Sequence, residues 1–213
     1  NCSETMSIEI TEAEPLVLSA TPSDNTGYGV SCNGLSDGSI DLTVTGGTGV
    51  YDYNWSNGAI TEDISGLSAG LYTVIVTDEN NCSETISIEI TETESLFLSA
   101  TPSDNTGYGV SCNGGNDGSI ELTVTGGTGV YDYDWSNGAI TKDISGLSAG
   151  LYTVIVTDEN NCSETISLEI TEPLEEITLS ETHSDNTGYG VSCNGLSDGS
   201  IDLTVTGGTG VYD

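Results

Sequence analysis

The stretch GGTGVYDYNWSNGAI, residues 46–60, joins a glycine-rich turn to a short aromatic segment. The aromatic residues of this segment alternate with polar ones, and they are Tyr51, Tyr53 and Trp55. Successive side chains of a β-strand point to opposite faces, so this period of two places the three rings on one face. We predict that they line the inner face of a central strand and supply much of a small core. The Ser-Asn-Gly that follows is a turn sequence, which predicts the end of the strand.

The same sequence recurs along the chain. The segment GGTGVYDYDWSNGAI occupies residues 126–140, and GGTGVYD occupies residues 207–213. Residues 21–92 and 101–172, which lie 80 positions apart, differ at only six positions. Self-similarity at a fixed period indicates tandem structural repeats. The core aromatic residues predicted for the second copy are Tyr131, Tyr133 and Trp135.

Other segments of the repeat alternate in the same way. Apolar residues occupy every second position in residues 40–44, 72–76 and 86–90, and turn-forming Gly, Asn, Asp and Ser separate these segments. No segment shows the sustained 3.6-residue period of an amphipathic helix. The pattern predicts an all-β fold of tandem immunoglobulin-like antiparallel β-sandwich domains, arranged end to end.

The repeat also predicts where the domains begin and end. We expect residues 1–12 to be the last strand of a preceding repeat and residues 13–92 and 93–172 to be two β-sandwich repeats. Residues 173–213 are expected to be the incomplete start of the next repeat. The connections between repeats are short, acidic and free of glycine, which favours semi-rigid linkers.

The charge of the chain limits its partners. Its formal net charge is −33, from 34 acidic residues against a single basic one, Lys142. Such a chain repels phosphate backbones and anionic lipid headgroups, so we expect no nucleic-acid partner. No apolar run approaches the roughly 18–20 residues that span a bilayer as a helix, so no membrane insertion is expected here. The expected partners are neighbouring repeats of the same chain, further copies in a filament, and surfaces or polysaccharides.

Each repeat contains two cysteines, one in SCNG and one in NNCS. Neither CxxC nor a Cys/His pair occurs, which argues against a zinc site. Two cysteines in a domain of this size predict a stapling disulfide formed in an oxidising compartment. The six cysteines are Cys2, Cys32, Cys82, Cys112, Cys162 and Cys193.

Two pairings of these cysteines are open. Cys32–Cys82 and Cys112–Cys162 would close each domain on itself, whereas Cys82–Cys112 would connect successive domains across the linker. We favour the first pairing because each domain then folds independently of its neighbour. Closing a loop of about 50 residues stabilises by up to roughly 4 kcal/mol. Partners outside this sequence are then expected for Cys2 and Cys193.

Loop oxygens are the candidate metal ligands of the repeat. Asp24, Asp37, Asp78 and Asn80 lie in turn sequences, and calcium prefers hard oxygen ligands of this kind. Their spacing does not match an EF-hand, and Asp and Asn are also ordinary turn formers. A calcium site that stiffens a domain junction and a solvated acidic surface are therefore the two interpretations.

The ordered string CNGxxDGSIxLTVTGGTGxYxYxWSNGA, continuing to Cys82, resembles the SprB-type repeat of Bacteroidota surface adhesins. It spans residues 32–82 and 112–162, and a third copy starts at Cys193. The resemblance implies very large proteins exported by the type IX secretion route, which form cell-surface filaments for adhesion and gliding motility. It implies no catalytic residues.

Three functions follow from the sequence. The first is a structural repeat segment of a long extracellular adhesin or filament, acting as an extended stalk in adhesion or gliding. The alternative is a serial carbohydrate-binding module on the cell surface, which exposed aromatic residues would favour. The third is an accessory region of a secreted hydrolase. We expect the chain not to be an enzyme, because its single histidine, His183, has no counterpart in the other repeats.

Overall fold

The structure of the protein is a computed structural model that describes residues 2–208. These residues form β-strands, turns and loops. Among them, no helix is long and apolar enough to cross a membrane.

The first repeat folds into two three-stranded antiparallel sheets. Its strands are β1 (Val17–Pro22), β2 (Gly38–Thr45), β3 (Asp52–Trp55), β4 (Ile64–Leu67), β5 (Gly70–Thr77) and β6 (Ser83–Ile90). One sheet has the order β1-β2-β4 and the other has the order β3-β5-β6. Alternating apolar residues give each sheet one apolar face, and the two faces pack together to exclude water.

The strand order is that of an immunoglobulin-like sandwich whose fourth strand, D, is not among these six. Strands β1, β2 and β4 correspond to strands A, B and E of that fold, and β3, β5 and β6 correspond to C, F and G. Two further features of that fold are present. Trp55 on β3 is buried in the core. The hydroxyl of Tyr72, near the start of β5, donates a hydrogen bond to the carbonyl of Ser68 at 3.1 Å, which is the geometry of a tyrosine corner. The predicted fold class of immunoglobulin-like β-sandwiches is confirmed.

The core of the first sandwich contains residues from both sheets and from the segment between β1 and β2. Val74 and Val76 of the middle strand β5 are fully buried, and so is Val30. The complete set of buried core residues is Val30, Ile40, Leu42, Trp55, Ile64, Leu67, Val74, Val76, Ile88 and Ile90. Strands β2 to β6 contribute all of these residues except Val30, and β1 contributes Leu18 and Ala20, which are partly buried and pack against the cluster.

The aromatic strand β3 is not central, and the prediction was wrong on this point. Among residues 2–208 it is hydrogen-bonded to β5 and to no other strand, so β3 is an edge strand of its sheet. Tyr51 and Tyr53 are only half-buried and pack against the core, whereas Trp55 is 2% exposed. An edge strand has less protein on either side of it, so the tyrosines keep part of their surface in water.

The second repeat has the same strands in the same order. They are β7 (Phe97–Pro102), β8 (Gly118–Thr125), β9 (Asp132–Trp135), β10 (Ile144–Leu147), β11 (Gly150–Thr157) and β12 (Ser163–Ile170). Their sheets are β7-β8-β10 and β9-β11-β12. Trp135 is 2% exposed, as its counterpart Trp55 is, while Tyr131 and Tyr133 are half-buried.

The ends of the chain contain less structure. Strands β13 (Thr178–His183) and β14 (Ile201–Thr206) pair as β1 and β2 do, as expected for the start of a further repeat. Residues 2–12, predicted as a strand, do not form one. A strand requires a partner for its backbone hydrogen bonds, and none of the described segments pairs with these residues.

The described residues fall into two compact units. One contains residues 2–97, 125–131 and 157–163, and the other contains residues 98–124, 132–156 and 164–208. Two loops of the second repeat, 125–131 and 157–163, thus belong to the unit of the first sandwich. The boundaries at 92/93 and 172/173 stay a prediction about independent folding.

Candidate functional site

Asp78 connects two loops at one end of the first sandwich. One carboxylate oxygen accepts hydrogen bonds from the amide and the hydroxyl of Thr48, in the GGTG loop. The other accepts from the amides of Asn80 and Cys82, in the loop between β5 and β6. The Cys82 amide, followed by the Thr48 and Asn80 donors, holds the pKa of Asp78 below its usual value, although burial acts in the opposite direction.

Two other acidic residues organise the opposite end of the sandwich. Asp37 accepts hydrogen bonds from the hydroxyl and the amide of Ser31, at 2.5 and 3.1 Å. These bonds, the hydroxyl first, lower the pKa of Asp37. Asp24 accepts from the amide of Gly27 at 2.6 Å, which closes a tight turn.

The four candidate calcium ligands therefore do not converge. Asp78 and Asn80 lie in the loop before β6, whereas Asp24 and Asp37 bond to a segment that lies beside the residues after β6. Within residues 2–208, no group of three or more His, Cys, Asp or Glu side chains is placed to hold a metal ion. The carboxylates of all three aspartates accept backbone amide hydrogen bonds within their loops. Calcium binding stays a prediction from the sequence.

The tryptophan is part of the core and is bonded there. The indole Nε1 of Trp55 donates to the carbonyl oxygen of Thr61 at 2.8 Å, and Trp135 repeats the contact with Thr141. Tyr51 donates from its hydroxyl to the carbonyl oxygen of Gly46 at 2.5 Å. These contacts satisfy the two indole nitrogens and the hydroxyl of Tyr51. Because the indole rings are buried, they offer no exposed surface on which a sugar ring could stack.

The structure pairs Cys32 with Cys162, so the predicted pairs Cys32–Cys82 and Cys112–Cys162 are wrong. The bond lies inside one compact unit, and it joins the SCNG segment of the first repeat to the NNCS loop of the second. The remaining cysteines among residues 2–208 are free and exposed: Cys2, Cys82, Cys112 and Cys193.

The length of β6 explains why Cys32 does not bond to Cys82. The amides of Gly29 and Val30 donate to the carbonyl oxygen of Thr91, so the SCNG segment lies beside the residues that follow β6. Cys82 precedes the first residue of β6. A strand of eight residues spans about 25 Å at roughly 3.3 Å per residue. A disulfide requires Cα atoms within about 7 Å of each other.

Side chains beside the disulfide hold the same two segments together. The amide nitrogen of Asn160 donates to the carbonyl oxygens of Asn25 and Ser31, at 3.2 and 3.0 Å. Its oxygen accepts a hydrogen bond from the hydroxyl of Thr26 at 2.9 Å. The equivalent residue Asn80 was predicted from the sequence only as a candidate metal ligand. The available signal was the position of this asparagine two residues before the cysteine in each NNCS loop.

The linker between the first and second repeats is hydrogen-bonded along its length. Asn33 donates from its side-chain nitrogen to the carbonyl oxygen of Thr93 at 2.7 Å and accepts from the hydroxyl of Ser95 at 2.7 Å. The amide of Gly34 donates to the Glu92 carboxylate at 2.8 Å. The carbonyl oxygen of Glu94 accepts a hydrogen bond from the amide of Gly127 at 2.9 Å. The carbonyl oxygen of Glu14 accepts the equivalent bond from the amide of Gly47 at 2.8 Å.

A shallow cleft recurs at the same place in both complete repeats. In the first repeat its volume is about 330 Å³ and its lining includes Asp24, Tyr28 and Glu89. In the second repeat its volume is about 340 Å³, with Asp104, Tyr108 and Glu169 in the same places. The lining of this cleft thus combines one half-buried tyrosine with two acidic residues in both complete repeats.

The repeated sequence matches a known family at three places. The SprB repeat family matches residues 30–60, 110–140 and 191–213. These three segments of the chain are similar to SprB repeats. The resemblance inferred from the sequence is confirmed at these places, and each match begins just before an SCNG cysteine. The matched segment contains β2, β3 and Trp55 in the first repeat, and β8, β9 and Trp135 in the second.

The SprB match indicates the class of protein in which such repeats are found. SprB repeats occur in cell-surface proteins, and the three matches are what a repeat segment of a surface adhesin-like protein would show. Repeats of this type on immunoglobulin-like sandwiches are typically structural and not enzymatic.

Other comparisons add little. No curated protein matches the chain. Among the matches to solved structures is an amphioxus IgVJ-C2 molecule, which is 15% identical and covers 57% of this chain and 88% of that chain, with a TM-score of 0.29. A match at this level carries no argument, and the fold assignment depends on the strand order.

Proposed function

We propose that this protein is a length of an extracellular stalk, in which SprB-type sandwiches project and transmit force for adhesion or gliding motility. The observation that carries the proposal is the hydrogen-bonded linker. Asn33 bonds to Thr93 and Ser95 on the strand-free segment between β6 and β7. A linker whose backbone and side chains are bonded to the preceding sandwich has little freedom to bend, which suits an element under tension.

The charge of the chain supports the same function. The chain contains 34 acidic residues and one basic residue, so like charge keeps neighbouring repeats from collapsing onto each other. This repulsion is screened beyond a Debye length of about 8 Å in physiological salt. The Cys32–Cys162 disulfide supports an extracellular location, because such bonds persist in oxidising compartments.

Small-angle X-ray scattering tests the stalk directly. The sample set is the 213-residue chain and longer chains in which residues 93–172 are inserted once, twice and three times. A stalk requires the maximum dimension to grow almost linearly with the number of inserted repeats. A radius of gyration that grows only as expected for a compact globule would refute the proposal.

A second function is favoured by the recurring cleft. Tyr28 and Tyr108 each line a cleft together with two acidic residues, a combination that suits the apolar face and hydroxyl groups of a sugar ring. A neutral polysaccharide is the ligand class that the charge of the chain permits. Retardation of the protein in native gels containing xyloglucan or a mixed-linkage β-glucan tests this function. Loss of retardation in the double variant Tyr28→Ala, Tyr108→Ala, but not in Tyr72→Phe, would support it, and no retardation in any gel would refute it.

A further inference from the structure

Cys32 and Cys162 belong to two different kinds of segment. Cys32 lies in the SCNG segment of one repeat, and Cys162 lies in the NNCS loop of the next, 130 residues later. Cys112 is the SCNG cysteine of the second repeat, and it is exposed and free. We propose that Cys112 is half of a second disulfide, whose other half is the NNCS cysteine of a following repeat in the same polypeptide. On this proposal each repeat is covalently bonded to the next.

The segment around Cys112 already has the conformation of the bonded segment around Cys32. Thr106 has a positive φ of 53°, and its counterpart Thr26 has a φ of 50°. Asp117 accepts from the amide of Ser111 at 3.0 Å, as Asp37 does from Ser31. No rearrangement is needed for Cys112 to be presented as Cys32 is.

The linker after the second repeat is held in the same way as the first linker. The amide of Gly114 donates to Glu172 at 2.7 Å, and the side-chain nitrogen of Asn113 donates to the carbonyl oxygen of Pro173 at 2.8 Å. The first linker shows the same two bonds, from Gly34 to Glu92 and from Asn33 to Thr93. The second junction is therefore built as the first one is, on the side of the preceding repeat.

A cavity lies beside Cys112 within the second compact unit. Its volume is about 240 Å³, and its lining includes Ser111, Cys112, Ile177 and Gly208. Gly208 is the third-repeat counterpart of Gly127. The residue after Gly127 is Thr128, which donates hydrogen bonds to the carboxylate of Asp158 in the NNCS loop. The sequence after Gly208 contains no counterpart of the Asn160–Cys162 segment. The loop that fills this position beside Cys32 is thus the natural occupant of the cavity beside Cys112.

The occupant is specified by the contacts of the first junction. Asn160 bonds to the carbonyl oxygens of Asn25 and Ser31 and brings Cys162 to Cys32. Asn105 and Ser111 present the equivalent carbonyl groups in the second repeat. An incoming Asn-Asn-Cys loop would find the same acceptors there.

The covalent step joins two thiols. The thiolate of one cysteine attacks a disulfide oxidant, which forms a mixed disulfide and releases one oxidant thiol. The thiolate of the second cysteine then displaces the other oxidant thiol, so the two electrons and the two protons end on the two released thiol groups. Oxidised glutathione serves as this oxidant in vitro. An SCNG cysteine of a preceding repeat would, by the same rule, be the partner of Cys82, the NNCS cysteine of the first repeat.

The inference goes beyond the stalk function and does not depend on it. In an array of this kind, a disulfide connects the same two repeats that the linker connects. The two repeats therefore stay close together even when the hydrogen bonds of the linker break. Disulfide mapping measures connectivity, whereas scattering measures shape, so the two proposals fail independently of each other.

The test is a chain extended by one loop-bearing segment. Residues 133–172 are appended after residue 213, which completes the third repeat because residues 207–213 repeat residues 126–132. The extended chain is refolded in a glutathione redox buffer, alkylated and digested without reduction. We expect two linked peptide pairs, Cys32 with Cys162 and Cys112 with the added copy of Cys162. Alkylation of Cys112 should fall at least tenfold relative to the original chain.

Variants make each outcome decisive. Cys112→Ser in the extended chain should leave the added cysteine alkylated and the Cys32–Cys162 pair intact. Free Cys112 in the extended chain, a Cys82–Cys112 pair, or the absence of both expected pairs would overturn the proposal. A dimer linked through Cys112 of one chain and Cys82 of another would identify a second copy as the occupant, and would also overturn it.

Discussion

The carboxylate of Asp78 accepts hydrogen bonds from both the amide and the hydroxyl of Thr48, each at 3.0 Å. The two residues are 30 positions apart, and the bonds fasten the GGTG loop to the loop between β5 and β6. The same carboxylate bonds to the amides of Asn80 and Cys82, which shapes the loop that carries the cysteine. One buried acidic side chain therefore determines the conformation of both loops at this end of the sandwich.

The Asp78 contacts predict a loss of stability in acid. The pKa of Asp78 is lower in the folded state than its usual value, so the folded state favours the ionised carboxylate. Its stabilising contribution is complete above the unfolded-state pKa, near 4, and is lost as the pH falls through the folded-state pKa. Asp78→Asn should lower the melting temperature near pH 7, and the difference from the wild type should shrink toward pH 3.

Circular dichroism melts across this pH range measure the effect. The matched control is Asp52→Asn, at an exposed position on β3. A difference between Asp78→Asn and the wild type that stays constant from neutral to acid pH would contradict the prediction.

Trp55 should be the most costly residue of the first core to truncate. It is 2% exposed, and Trp55→Ala should lower the free energy of unfolding by about 3–5 kcal/mol through the cavity that it leaves. Trp55→Phe should cost less, because the phenyl ring fills most of the cavity. The remaining cost, about 1–3 kcal/mol, arises because the carbonyl oxygen of Thr61 loses its hydrogen-bond donor. Ile60→Ala, at a side chain that is 77% exposed, should change stability by about 0.5 kcal/mol at most. Urea unfolding measures all three, and equal costs for Trp55→Ala and Ile60→Ala would remove Trp55 from the core.

Gly126 should not tolerate a side chain. Its φ is +73°, and an added Cβ would lie 1.9 Å from the carbonyl oxygen of Ser95 in the linker. Gly138 is the matched control, because its φ is +82° and an added Cβ there would meet no atom within 4 Å. Gly138→Ala should cost about 1–2 kcal/mol, from backbone strain alone. Gly126→Ala should cost clearly more, and equal urea midpoints for the two variants would contradict the close approach of linker and loop.

The Cys32–Cys162 disulfide should be found in the 213-residue chain. Digestion without reduction should release these two cysteines as one linked peptide pair, with Cys82 and Cys112 alkylated. Cys32→Ser should lower the free energy of unfolding by up to about 4–5 kcal/mol, because the bond closes a loop of 130 residues. Cys82→Ser should leave stability unchanged. A linked Cys32–Cys82 peptide would restore the pairing within one repeat.

Much of the fold was readable from the sequence because it depends on local patterns. The alternation from Asp52 to Trp55 places the indole on the inner face of β3, and the structure buries it there. Turn sequences such as Ser-Asn-Gly end the strands where the backbone must reverse. The 80-residue repeat predicts that the second sandwich copies the first, and strands β7–β12 do so. These features follow from the side-chain period of a strand and from the conformations open to glycine and asparagine.

The candidate site was less predictable, because its residues interact across long distances in the chain. The sequence offered Asp78 only as one candidate calcium ligand, and it did not show that the Asp78 carboxylate accepts four hydrogen bonds from its own and a neighbouring loop. The edge position of β3 depends on which strands pair, and alternation does not contain that information. A pattern along one strand specifies its faces but not its neighbours.

The sequence by itself determined the strands of the two sandwiches, their apolar faces, the tandem repeat and the burial of Trp55 and Trp135. Only the tertiary structure decided which cysteines meet. Cys32 and Cys82 lie at opposite ends of β6, a separation set by the rise of an extended strand, while the path of the linker brings Cys162 to Cys32 from 130 residues away. Spacing in the sequence cannot predict such a contact, because it depends on how far each strand carries the chain before the chain turns back.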